Sequence, residues 1–260
     1  MDQLPYLQQL CFLADIPIFA GKFTNIRTTF VDIEEYIEFK HMSDKKIPVY
    51  FVPGLAAGKE IFRNILLPEA TYKVTILEWL IPLKNEDLSV YSKRMASLVT
   101  DPNAVLVGVS FGGVVAQEMS TFLDLRKLII LSSIKTRNEL PLRLKVAAKT
   151  LAYKLVPTRL VLSASDLTKF AIGPKTEKRL KLYQEYLHVR DKAYLDWAIK
   201  QMVTWKRQEE IKGVVHIHGD SDPIFPIKNI KTCLQIKEGT HIMILNKGRV
   251  ITEKLIEIIK

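Results

Sequence analysis

An apolar run, Ala104-Val105-Leu106-Val107, passes into a helical pattern, Val114-Val115-Ala116-Gln117-Glu118-Met119, across only six residues, Gly108-Val109-Ser110-Phe111-Gly112-Gly113. A short run rich in β-branched residues reads as a buried strand, and apolar residues at three/four spacing read as a helix face. Joining the two so abruptly restricts the chain to folds in which a strand runs straight into a helix. Gly108 and Gly112 lack a Cβ, so strand and helix can approach closely while Ser110 is forced into a tight, strained turn. The Ser110 hydroxyl is then exposed at the strand's end. The amide of Phe111 faces the same space, and the helix N-terminus adds partial positive charge there. A plain strand-to-helix turn is the alternative reading of this segment taken alone.

Similar apolar runs recur along the chain, each bounded by turn residues: Ile47 to Val52, Lys73 to Leu77, Lys127 to Leu131, Val214 to His218, and a weaker one at Cys233 to Ile236. Their near-continuous hydrophobicity suggests parallel strands covered on both faces. Helix-like stretches lie between them, as at Val90 to Val99 and Gly113 to Leu123, and Ile251 to Ile259 closes the chain with an apolar face. Alternation of this kind predicts an α/β fold with a doubly wound, mostly parallel sheet. It stops between Ile134 and Ile211, where the pattern is helical; Tyr194, Trp197, Ala198, Gln201, Met202 and Trp205 form one stripe, continued upstream by Tyr183, Tyr186 and Leu187. We read residues 135–209 as an all-helical lid over the carboxyl ends of the strands, where ligands bind in open α/β sheets. Residues 1–134 and 210–260 would form the core. Thr28 to Lys40 reads as an edge strand or as a helix.

A serine hydroxyl is a weak nucleophile until a base takes its proton, and the base works best when a carboxylate orients it. The chain has five histidines. His41 and His188 sit in solvent-facing patterns, and His216 and His218 alternate in a strand. His241 lies in a glycine-containing loop, Glu238-Gly239-Thr240-His241, between a short strand and an apolar helix. That loop can bring an imidazole opposite Ser110. His218-Gly219-Asp220-Ser221-Asp222 offers two acids, Asp220 and Asp222. A rival reading makes His216, His218 and Asp220 metal ligands on one strand face. Pro53-Gly54-Leu55-Ala56-Ala57-Gly58, after the first apolar run, can supply a second amide, that of Leu55, beside Phe111 N–H as an oxyanion hole.

Together these segments resemble the α/β-hydrolase superfamily, in its esterase-like group with a small helical lid. The resemblance spans roughly residues 47–260 and rests on Pro53-Gly54-Leu55, the elbow Gly108-Val109-Ser110-Phe111-Gly112-Gly113, the acid loop His218-Gly219-Asp220-Ser221-Asp222-Pro223-Ile224-Phe225-Pro226, and Gly239-Thr240-His241. It implies that the acid is Asp222, three residues after the glycine, leaving Asp220 to bond within its loop. It also implies that the lid follows the sixth of eight strands, although the first two of those are not recognisable in residues 1–45. Many relatives carry His-Gly where this chain has Pro53-Gly54. The implied activity is a serine hydrolase cleaving an ester or thioester of a small-to-medium lipophilic acyl group, with no metal or organic cofactor. A lyase or acyltransferase using the same three residues, and a non-catalytic binding module, are the alternatives.

Composition bears on partners and compartment. The net charge of +10 is uneven: Lys135 to Leu182 holds twelve Lys/Arg against three acids. Such a surface is either a solvated helical face or a site of transient contact with anionic lipid or an acyl carrier. Zinc-finger spacing and interleaved aromatic and basic residues are both absent, which argues against nucleic acid. Only Cys11 and Cys233 are present, and the N-terminus has neither a basic region nor a long apolar stretch; both point to a cytoplasmic protein.

Overall fold

The computed structural model describes residues 46–155, 186, 189 and 191–260. All six apolar runs become strands: β1 (Ile47–Val52), β2 (Tyr72–Ile76), β3 (Ala104–Val109), β4 (Leu125–Leu131), β5 (Val215–Gly219) and β6 (Leu234–Ile236). They form one sheet in the order β2-β1-β3-β4-β5-β6, every pairing parallel. β3 lies inside the sheet and is buried at every position, as its unbroken apolar run requires. The chain lays β2 on one side of β1 and returns to place β3 on the other. In open α/β sheets such a reversal marks the ligand-binding edge at the carboxyl ends of the strands, the edge from which the loops beginning at Pro53 and Ser110 leave β1 and β3.

The described α-helices are α1 (Leu88–Ala96), α2 (Phe111–Met119), α3 (Leu142–Lys149), α4 (Lys192–Thr204), α5 (Met243–Asn246) and α6 (Gly248–Ile259), with short 3-10 turns between elements. Strand side chains alternate between two cores. Tyr50, Val52 and Leu106 pack with α1, α2 and α4. Val49, Phe51, Val105 and Val107 pack on the other face with Ile251, Leu255 and Ile259 of α6. The period of two sorts β-strand residues between layers, and the period near 3.6 turns each helix's apolar face inward. α1 starts two residues earlier than the apolar pattern suggests, because Asp87 caps it by accepting from Val90 N at 2.8 Å.

Between β4 and β5 the described residues include α3 and α4. The α4 stripe is core: Tyr194, Trp197, Ala198 and Met202 are buried, with Tyr194 and Trp197 rings against Trp79, Tyr91 and Phe111. Expectations concerning residues 1–45 (the edge strand, Cys11, His41 and the two strands that would make β4 the sixth), residues 156–182 of the basic stretch, and Tyr183, Leu187 and His188 lie outside the described residues. Among the described residues, no helix is long and apolar enough to cross a membrane.

Candidate active site

Ser110 adopts φ 53° and ψ −119°, a conformation that costs an L residue on the order of 1–3 kcal/mol. Its neighbours hold it there. Ser110 N donates to Leu131 O of β4 at 2.9 Å, and Ser110 O accepts from Gly113 N at 2.9 Å and from Ser133 Oγ at 2.7 Å. The close approach of β3, α2 and the β1 loop explains the glycines. A Cβ on Gly108 would stand 2.6 Å from Gly113 Cα, and one on Gly112 would stand 2.5 Å from Val52 O and collide with Pro53 O.

The backbone polar groups of Ser110 are therefore satisfied, while Phe111 N–H, next in the chain, has no protein acceptor among the hydrogen bonds of the described residues. The same holds for Leu55 N–H. Its loop passes close to the serine, since a Cβ on Gly54 would lie 3.6 Å from Ser110 Cβ.

The other two loops meet through a second close approach. Gly219 ends β5 and Gly239 follows β6, and a Cβ on Gly239 would stand 2.8 Å from Gly219 Cα. This contact sets the loop of His241 against that of Asp222. His241 Nε2 lies 2.9 Å from Ser110 Oγ, and His241 Nδ1 lies 2.9 Å from Asp222 Oδ2. An ionised carboxylate only accepts, so Nδ1 carries the proton; in the neutral ring Nε2 is then free to accept from the serine hydroxyl.

Asp222 is 3% exposed, and its other oxygen accepts from the amides of Ile224 at 2.7 Å and Phe225 at 2.9 Å. Burial alone would raise its pKa. The facing His241, its hydrogen bond and the Phe225 amide outweigh burial and hold the carboxyl below the ordinary 3.8. Asp220, the other acidic candidate, accepts from Ser221 Oγ at 2.8 Å. Of the two acids, the structure brings Asp222 to His241.

Behind the acid lies a pair of buried histidines. His218 Nε2 is 2.8 Å from Phe225 O, and a carbonyl only accepts, so Nε2 is protonated. In the neutral ring His218 Nδ1 must then accept from His216 Nε2 at 3.1 Å. Burial pushes the pKa of both rings below the ordinary 6.5, that of His216 well below. The rings thus point at each other and at a carbonyl. Among the described residues no group of three or more His, Cys, Asp or Glu is placed to hold a metal ion.

The sequence assigned no role to three contributors, of which Phe225 alone lies within a motif. Ser133 holds the elbow from the end of β4. Phe225 bonds Asp222 through its amide and packs its ring edge-on against His241, centroids 5.3 Å apart. Trp79, beyond β2, donates from Nε1 to Gly54 O at 3.2 Å. Position alone could have flagged them, since each follows a strand on the edge that carries Ser110. A separate cleft of about 750 Å³ lies between the start of α1 and the end of α4 and is lined mainly by polar and charged residues, among them Glu86, Glu118, Lys200 and Arg207.

No protein-family model matches the sequence, and no curated protein matches it at a significant level. Solved structures do match in shape. A bromoperoxidase from Bacillus anthracis superposes with a TM-score of 0.62 at 16% identity, covering 82% of this chain and 92% of that one. A thermophilic esterase from Thermogutta terrifontis gives 0.61 at 13%, covering 84% and 92%. An alpha/beta hydrolase fold protein from Burkholderia ambifaria gives 0.60 at 13%, covering 82% and 91%. With its six-stranded parallel sheet and flanking helices, the chain has the α/β-hydrolase fold.

Proposed function

We propose that this chain is a serine hydrolase that cleaves a carboxylic ester or thioester through an acyl-enzyme. The observation that carries the proposal is the continuous hydrogen-bonded line Ser110 Oγ, His241 Nε2, His241 Nδ1, Asp222 Oδ2, each link 2.9 Å. His241 removes the Ser110 proton as Oγ bonds to the substrate carbonyl carbon, and the C=O electron pair moves onto oxygen. The Phe111 and Leu55 amides receive that oxyanion. Asp222 stabilises the imidazolium, which returns its proton to the leaving alcohol or thiol. His241 then deprotonates a water whose oxygen attacks the acyl carbon; as the C–Oγ bond breaks, the imidazolium returns the proton to Ser110 Oγ and the carboxylic acid leaves.

The acyl group is lipophilic. Leu55, Val189 and Ile224 are partly buried apolar residues in segments joined by hydrogen bonds or chain continuity to the loops of the site. Residues 135–209 act as the lid. Two contacts support this: Val189 N donates to Ala56 O at 3.0 Å, and the Arg143 guanidinium donates to Pro223 O at 2.7 Å and Ile224 O at 2.9 Å.

The test is reaction with a fluorophosphonate probe together with hydrolysis of aryl esters of increasing acyl length, wild type beside Ser110→Ala. Labelling and cleavage should both vanish in the variant, with turnover down about 10⁶-fold. Undiminished cleavage by Ser110→Ala rules the mechanism out.

A further inference from the structure

We propose that Trp79 is a positioning residue for the anion-binding amides beside Ser110, an inference that rests on the serine-hydrolase reading above. Trp79 follows β2 in Glu78-Trp79-Leu80-Ile81-Pro82, beyond the carboxyl end of that strand. Its indole Nε1–H donates to Gly54 O at 3.2 Å, and the Ala57 amide donates to the same oxygen at 3.1 Å. That carbonyl belongs to the peptide unit whose N–H is the Leu55 amide. The unit is planar and trans, so its C=O and N–H point in opposite directions. Two donors gripping the oxygen on one side therefore aim the Leu55 N–H to the other.

The same indole touches the carrier of the second amide. Its ring stacks on Phe111 with centroids 5.7 Å apart and planes 28° from parallel, and Tyr194 packs against it at 5.2 Å. One side chain thus links the β1 loop, which supplies one donor, to the start of α2, which supplies the other. A phenylalanine at position 79 would keep an aromatic contact and lose the N–H. The charge these amides meet develops only as Oγ bonds to the carbonyl carbon, so loosening Leu55 N–H weakens the transition state more than the bound ester.

Trp79→Phe should lower kcat about tenfold and leave KM within about twofold, a fraction of the roughly 10²–10³ that loss of a whole donor costs, because Ala57 still grips Gly54 O. An arylboronic acid, which forms a tetrahedral adduct on Ser110, should bind about tenfold more weakly. A non-cleavable ether analogue of the ester should bind as before. Trp79→Leu, which also lacks the donor, is assayed in parallel so that one folded variant suffices, folding being checked by thermal midpoint and by the fraction of serine labelled by fluorophosphonate. Unchanged kcat and boronate affinity in Trp79→Phe, with turnover still abolished by Ser110→Ala, overturns the inference and leaves the hydrolase reading standing. Equal losses of boronate and ether affinity with a raised KM also overturn it, since the indole would then shape the pocket rather than aim an amide. Turnover that survives Ser110→Ala overturns the underlying reading instead.

Discussion

Asp222 and Asp220 stand two positions apart and differ in what they can do to His241. Asp222 accepts two backbone amides with Oδ1 and keeps Oδ2 for Nδ1–H. In Asp222→Asn the side-chain oxygen would still satisfy the Ile224 and Phe225 amides, which leaves the NH₂ facing His241. A donor there forces the imidazole proton onto Nε2, the wrong tautomer to accept from Ser110. We expect kcat for an aryl ester to fall about 10⁴-fold in Asp222→Asn and to change by less than about threefold in Asp220→Asn, whose carboxylate accepts from its neighbour Ser221. Comparable losses in the two variants would show that the loop as a whole, rather than the carboxylate on His241, supports turnover. Spacing alone left both acids open, and the choice became legible only through the resemblance to a known family. The reason is local: which aspartate turns inward is decided by the Ile224 and Phe225 amides, and these become donors only once the loop has folded.

At the scale of elements, position in the sheet decided what could be read from the chain. β1 and β3 are buried on both faces and stand out as apolar runs, whereas β6 is a three-residue edge strand with Leu234 and Gln235 exposed, and its signal is correspondingly faint. Helix starts were harder to place because they depend on caps rather than on apolar spacing, as Asp87 shows for α1. Trp79, Ser133 and Phe225 could be flagged by their place after a strand but not given their roles, for a related reason. Each acts through atoms on another loop, and sequence spacing does not report contacts across a sheet edge. The terminal helix was read from its apolar face, and the packing of that face can be weighed directly. Leu255 and Ile251 of α6 are fully buried, while Val250 on the same helix is 40% exposed. Leu255→Ala should cost about 2–5 kcal/mol of unfolding free energy in urea titrations. Val250→Ala should stay within about 0.5 kcal/mol. If the two variants unfolded at the same urea concentration, α6 would not be packed on the core as described.

For the whole molecule, the buried histidines link stability to pH. Desolvation lowers the pKa of His216, with His218 and Lys135 adding to it, and desolvation lowers that of His218 against the opposing pull of Asp222 and the Phe225 carbonyl. Both rings therefore stay neutral in the folded chain at pH values where an unfolded chain, titrating near 6.5, already binds protons. Stability rises with pH wherever the unfolded state binds more protons. The contribution of these rings is thus complete above about pH 6.5 and is lost as pH falls from there toward their lowered folded-state values. Each proton bound only by the unfolded chain steepens the dependence by about 1.4 kcal/mol per pH unit. Asp222, also lowered, adds loss in the same direction, but only below about pH 3.8. Urea midpoints at pH 7.5 and 5.5 should accordingly show a marked drop at the lower pH. His216→Asn should reduce that drop whatever its own starting stability, because the variant removes one titrating ring from both folded and unfolded states. A drop of the same size in wild type and variant would mean that His216 is protonated alike in the two states, and that the neutral pair behind Asp222 is not what ties this fold to pH.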